Sequence, residues 1–167
     1  ELRAFAAESG LQAEVLPLVA VGGEKAAATR AKEYLGEGNM PALAALLGGS
    51  YFISGTVATE GRHVGRRLGF PTANLHVSPE KVPLRVGVYA VRAEIGGRAY
   101  RGIANYGARP TFGDARLVLE SYFDGFEGDL YGRELTVFFD FYIRPVRKFE
   151  SAEELAAQLS RDLERIR

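Results

Sequence analysis

No cysteine occurs in the 167 residues, which excludes disulfides, thiolate metal sites and a cysteine nucleophile. Only two histidines are present, His63 and His76, so a multi-histidine zinc site is not expected. Charge of one sign is also missing: Lys+Arg and Asp+Glu both number 21, the net charge is zero, and no global basic field points to nucleic acid. No apolar run approaches the roughly 18 residues of a membrane span. Nothing reads as a signal peptide either, so a cytoplasmic enzyme with no membrane partner is the expectation.

What is present is an ordinary globular composition, 47% hydrophobic and 25% charged, at a length suited to one domain with a small second piece. The first 49 residues read as a short α/β segment. Residues 2–10 are alanine-rich and helix-like, residues 14–21 form an apolar run expected to be a buried strand, and residues 26–35 and 41–47 look like helices. From Tyr51 onward strands dominate. Residues 51–58, 87–95, 99–104, 117–123 and 135–143 are rich in β-branched and aromatic side chains, and Gly96-Gly97 suits a two-residue hairpin turn. Short strands joined by turns predict a mainly β fold, a closed antiparallel barrel. Ser151 and Glu154 are expected to cap a last helix whose apolar stripe is Leu155, Leu159, Leu163 and Ile166.

The chemistry concentrates between Gly55 and Leu75. A loop with Gly61, Gly65, Arg66, Arg67 and Gly69 runs into Phe70-Pro71-Thr72-Ala73-Asn74. Glycines let successive backbone N–H groups approach an anion, and arginines add charge-assisted hydrogen bonds to phosphate oxygens. Pro71 fixes its own φ and favours an extended chain after it. Thr72 and Asn74, at i and i+2 of a strand, would then share a face and offer two hard neutral oxygens to Mg²⁺. The same residues also read as a glycine-rich hairpin with an ordinary turn behind it. Glu120, an acid in the apolar strand Leu117-Val118-Leu119-Glu120-Ser121-Tyr122-Phe123, reads equally as a solvent-facing residue.

The full string Gly69-Phe70-Pro71-Thr72-Ala73-Asn74-Leu75 resembles the riboflavin kinase family, including the kinase module of bacterial bifunctional FAD synthetases. Further motifs follow in the same order: Gly87-Val88-Tyr89-Ala90-Val91, Asn105-Tyr106-Gly107-Ala108-Arg109-Pro110-Thr111-Phe112, Leu119-Glu120 with Gly128-Asp129-Leu130-Tyr131-Gly132, and Arg144-Pro145 with Phe149 and Ser151. The resemblance covers about residues 50–167.

That resemblance implies a six-stranded barrel kinase domain at 50–167 with a C-terminal helix, and a remnant of an adenylyltransferase-like module at 1–49. It implies transfer of the ATP γ-phosphoryl to the ribityl 5′-hydroxyl of riboflavin, giving FMN and ADP with Mg²⁺. Glu120 takes the place of the general base. Gly61, Gly65, Arg66, Thr72 and Asn74 would hold ATP, with Thr72 and Asn74 also on the metal. Arg109, Phe112, Arg144, Phe149 and Leu155 would bind the flavin. The glycine loop is about one residue longer than the family pattern before Gly61, Tyr122 stands where relatives often carry His, and Gly125 replaces a common Asp. The nucleotide-binding strand and His-x-Gly-His-type motif of the adenylyltransferase do not occur, so adenylyl transfer is not expected of these residues. A non-catalytic flavin-binding module and a barrel for single-stranded nucleic acid, prompted by 10 Phe and 8 Tyr, are the competing classes.

Overall fold

The structure, a computed structural model, describes residues 2–14, 16–59, 72–108 and 117–167. The chain begins with helix α1 (Leu2–Glu8), the short hairpin β1 (Ala20–Val21) and β2 (Glu24–Lys25), and helices α2 (Ala28–Glu37) and α3 (Met40–Leu47). Strands β3 (Phe52–Thr56), β4 (Ala73–His76), β5 (Gly87–Ile95), β6 (Arg98–Ala108), β7 (Leu117–Phe123) and β8 (Glu134–Arg144) follow, and helix α4 (Ala152–Glu164) ends the fold.

The six long strands form one antiparallel sheet in the order β3-β8-β5-β6-β7-β4. Its two edges meet through a bridge between Val57 and Leu75, and Ala58 N–H donates to the Asn74 carbonyl at 2.8 Å. Closure removes the exposed edges that an open sheet would present. Gly96 (φ 62°) and Gly97 (φ 78°) make the β5–β6 turn, where two consecutive positive φ angles match the twist of the hairpin.

Alternation along each strand sorts the side chains. Leu119 and Phe123 of β7 point inward with Leu75, Tyr89, Tyr106, Val137 and Phe139, while Glu120 and Tyr122 face out. The outer face carries a second apolar cluster, in which Val88, Ala90, Ile103 and Ile143 pack with Leu159 and Leu163 of α4 and with Ile166 just beyond it. Ser151 caps α4 by accepting from the Glu154 N–H at 3.2 Å, and Glu154 reaches back to the N–H of Glu150 at 3.1 Å rather than to that of Ser151.

Two helices of the N-terminal segment join the barrel interior. Leu35, Met40 and Leu43 belong to the same cluster as Tyr89 and Phe139, and Arg85 fastens the junction by donating to the carbonyls of Leu35 (N, 2.9 Å) and Glu37 (Nη1, 3.2 Å). The buried strand expected over 14–21 is corrected. Only Ala20–Val21 pairs, and Leu16, Leu18 and Val19 are exposed, because the described residues supply no second layer for them to pack against. No helix of the described residues is long and apolar enough to cross a membrane.

Candidate active site

Strand pairing brings distant sequence positions into one row on the outer face. Asn74 of β4 lies opposite Glu120 of β7, Glu120 opposite Asn105 of β6, Asn105 opposite Val88 of β5, and Val88 opposite Arg144 of β8. Directly opposed residues point to the same side with Cβ atoms about 4.5–5.5 Å apart. Expected metal ligand, expected base and expected flavin arginine therefore share one cross-strand line.

At one end of that line, Thr72 Oγ1 donates to Glu120 Oε1 at 2.9 Å. Both side chains are half-buried. Asn74 is buried, and its Oδ1 has no hydrogen-bond partner among the described residues. A buried acceptor left unmatched costs about 1–3 kcal/mol, so a native structure retains one where something else uses it. Two neutral oxygens at i and i+2, one of them unmatched among the described residues, suit a hard divalent cation that completes its shell with water and phosphate. Among the described residues no group of three or more His, Cys, Asp or Glu gathers into an all-protein metal cage.

Thr72 also lines a shallow cleft on its other side. Val57, Ala73, Phe123, Phe126, Leu130 and Tyr131 form the walls, with Gly128 and Asp129 at the turn. Asp129 Oδ1 accepts from the Tyr131 N–H at 2.8 Å and holds that turn in shape. Tyr100 meets Phe126 edge-on, with ring centroids 5.3 Å apart. The Gly128-Asp129-Leu130-Tyr131-Gly132 motif thus lies beside Thr72 in three dimensions.

The far end of the row is held by an ion pair. Arg144 Nε donates to Asp162 Oδ1 at 3.1 Å and to Oδ2 at 2.9 Å, and Nη2 donates to Oδ2 at 2.7 Å. Gln158 Nε2 adds a fourth contact to Asp162 Oδ1 at 2.8 Å. The pair is well shielded, with side-chain exposures of 16% for Arg144 and 2% for Asp162. Removing one partner of such a pair typically costs about 3–5 kcal/mol. The Arg144 guanidinium lies 5.8 Å from the centre of the Phe149 ring, and that of Arg147 lies 4.7 Å from it. Arg147 also pairs with Glu154. Phe149 and Leu155 are both half-buried on this flank.

Gly61, Gly65, Arg66, Arg109 and Phe112 lie outside the described residues. Asn105 and Asp162 gained no role from the sequence. The signal for Asp162 was available: it stands three residues after Leu159 and four before Ile166, an acid on the apolar stripe of α4.

Burial raises Tyr51, Tyr89, Tyr106 and Tyr122 above their ordinary value. Tyr89 is shifted upward first by burial and then by the neighbouring Tyr142 and Tyr106 hydroxyls, and Tyr106 by burial. Tyr122, beside Glu120 in β7, is raised by burial and then by Asp124, so these phenols stay neutral near pH 7.

The barrel agrees with what comparison with known proteins finds. The sequence model of the riboflavin kinase (flavokinase) family matches residues 47–167. A bifunctional riboflavin kinase/FMN adenylyltransferase of Pseudomonas fluorescens is 36% identical over 155 residues, covering 92% of this chain and 49% of the relative. The protein of the same description from Escherichia coli K12 is 38% identical over 142 residues, covering 84% and 45%. Among solved structures, a protein described as a macrolide-efflux protein from Streptococcus pneumoniae superposes with a TM-score of 0.79 at 32% identity, covering 89% of this chain and 49% of the other. The chain belongs to the riboflavin kinase family. It spans about half the length of these curated relatives.

Proposed function

We propose that this chain is an ATP:riboflavin 5′-phosphotransferase that makes FMN and ADP. The observation that carries the reading is the position of Thr72, which lines the apolar cleft on one side and hydrogen-bonds Glu120 on the other. A nucleoside in the cleft, with its phosphates leaving past Thr72, would bring the γ-phosphoryl to the end of the row where Glu120 stands. Phe126, Leu130 and Tyr131 offer the flat base an apolar wall.

The acceptor would lie along the row. From Glu120 to Arg144 there are three strand spacings, roughly 14 Å at the usual interstrand distance. That span suits a ribityl chain near Glu120 and Asn105, with the ring system toward Arg144, Phe149 and Leu155. The Glu120 carboxylate takes the proton of the 5′-hydroxyl as the oxygen attacks the γ-phosphorus. The bond from that phosphorus to the bridging oxygen breaks, and ADP departs with the electron pair. Thr72, by donating to Oε1, orients the carboxylate. Thr72 and Asn74 would hold Mg²⁺, which when bound supplies neutralisation of the phosphate charge. Within the glycine loop, Gly61, Gly65 and Arg66 are proposed as further phosphate contacts, and Arg109 and Phe112 as further flavin contacts. The adenylyltransferase activity in the relatives' description is not assigned to these residues.

Incubating the protein with riboflavin, ATP and Mg²⁺ and resolving the products by chromatography tests the reading. Stoichiometric FMN and ADP are expected. Folded protein that yields no FMN overturns it, and tight FMN binding without turnover would favour a non-catalytic flavin module.

A further inference from the structure

Helix α4 is held on the barrel by more than Asp162. Leu159, Leu163 and Ile166 are packed against the outer apolar cluster. Three further tethers hold its end: Arg165 Nη1 donates to the Ile143 carbonyl (3.2 Å), Arg101 Nη1 to the Ile166 carbonyl (3.2 Å), and Arg167 Nε to Asp124 Oδ2 (3.0 Å). What Asp162 does that no other described residue does is grip Arg144. Its two oxygens take the Nε and Nη2 side of the guanidinium, and Arg144 Nη1 donates to the Pro145 carbonyl at 3.1 Å. A guanidinium has five N–H donors in a rigid plane. Three are engaged in these contacts, and two have no partner among the described residues.

We propose that Asp162 is a positioning residue for flavin binding. By fixing the guanidinium plane of Arg144 it sets the remaining N–H groups, the 145–151 segment and the Phe149 ring in the geometry that receives the isoalloxazine ring. Gln158 locks the carboxylate in turn through its 2.8 Å contact. Asp162 touches neither substrate; it acts through Arg144. The inference rests on the kinase reading above and extends it to a buried helix residue. Side-on pairing of a carboxylate with an arginine defines the guanidinium in both direction and tilt, which a single hydrogen bond does not do.

The test is a double-mutant cycle on Asp162→Asn and Arg144→Gln, read as riboflavin KM, ATP KM and kcat, together with FMN affinity by fluorescence titration. Asp162→Asn is expected to raise riboflavin KM and weaken FMN binding roughly tenfold or more, with ATP KM and kcat within about twofold. In the Arg144→Gln background the same substitution should change riboflavin KM by less than about twofold, because its route of action is gone. Asp140→Asn, which breaks the Arg92–Asp140 pair on another part of β8, serves as a control with no change in riboflavin KM expected. An unchanged riboflavin KM and FMN affinity in Asp162→Asn overturns the proposal. So do effects that multiply in the double variant, or a loss of kcat and both affinities together. If Asp162→Asn does not fold, the double variant, which buries no unpaired charge, is compared with Arg144→Gln alone, and a further loss of FMN affinity there overturns the proposal equally. Wild-type protein that binds no flavin overturns the kinase reading itself, a result distinct from flavin binding that ignores Asp162.

Discussion

The Thr72 hydroxyl donates to the Glu120 carboxylate across 2.9 Å, joining residues that are 48 apart in sequence. The hydroxyl orients the carboxylate without adding charge, and in the proposed reaction that carboxylate takes the proton of the acceptor alcohol. Glu120→Gln keeps the shape and removes that capacity. We expect kcat for FMN formation to fall about 10²–10⁴-fold with ATP affinity within about threefold. Steady-state kinetics alongside nucleotide titration checks it, and turnover equal to wild type would remove Glu120 from the role of base.

Asn74 carries a second expectation. Its Oδ1 is buried without a partner among the described residues. Asn74→Leu is nearly the same size and has no acceptor to leave unmatched. Metal-free protein carrying it should be as stable as wild type or more stable by about 1 kcal/mol. Wild type should gain thermal stability on adding Mg²⁺ and ATP, by about 2.7 kcal/mol at a ligand concentration a hundredfold above Kd, and the variant should gain far less. Thermal unfolding with and without Mg²⁺–ATP measures both. A large loss of stability in the metal-free variant would mean that Oδ1 has a structural partner instead.

Much of this architecture was legible in the sequence, for physical reasons that differ from element to element. Strands β5 and β7 begin and end where their β-branched and aromatic runs do. Strand β6 runs four residues beyond its expected end, to Ala108, because Asn105 and Gly107 have poor strand propensity yet pair on the sheet, Asn105 with Val88 and Glu120 and Gly107 with Val118. Pairing overrides propensity there. The apolar run at 14–21 failed in the other direction, since an apolar pattern predicts burial only where a partner layer exists. Thr72, Asn74 and Glu120 were each visible as candidates, but their adjacency depends on which strands pair across the closed sheet, which local patterning does not encode. Arg144 stands out in sequence by its Arg-Pro motif, whereas Asp162 lies on a helix whose dominant pattern is an apolar stripe, which gives no sign of an ion-pair partner on another element.

Close packing of β6 on β7 makes Gly102 a sensitive position. A Cβ built there would lie 2.0 Å from the Tyr122 carbonyl oxygen and 3.0 Å from the Phe123 ring. The first of these is backbone, which can give way only by moving β7, the strand that carries Glu120. Gly102→Ala should therefore destabilise the barrel by about 1–3 kcal/mol, as overpacking does, and should lower kcat in the fraction that folds. Gly55→Ala is the matching control, since a Cβ at Gly55 meets nothing within 4 Å. Urea unfolding of both variants decides the matter, and equal midpoints for Gly102→Ala and Gly55→Ala would contradict the packing argument.

Acid should loosen the flank that carries Phe149 before it unfolds the barrel. The Glu154 carboxyl is held below its ordinary value of 4.5, first by the N–H of Glu150 and further by Arg147. Glu153 is lowered as well, by its own backbone N–H and by Ser151. A carboxyl depressed in the folded state binds fewer protons there than in the unfolded chain, so stability rises with pH across the interval between the two values. The contribution is complete above about pH 4.5 and is lost as pH falls through the lowered folded value. Glu154→Gln should lower thermal stability somewhat near pH 7 and flatten its decline as pH falls below about 4.5, so that variant and wild type converge in acid. A smaller slope should persist from Glu153. Melting temperatures of wild type and variant across that range provide the measurement, and parallel curves would show that Glu154 does not couple protonation to the seating of α4.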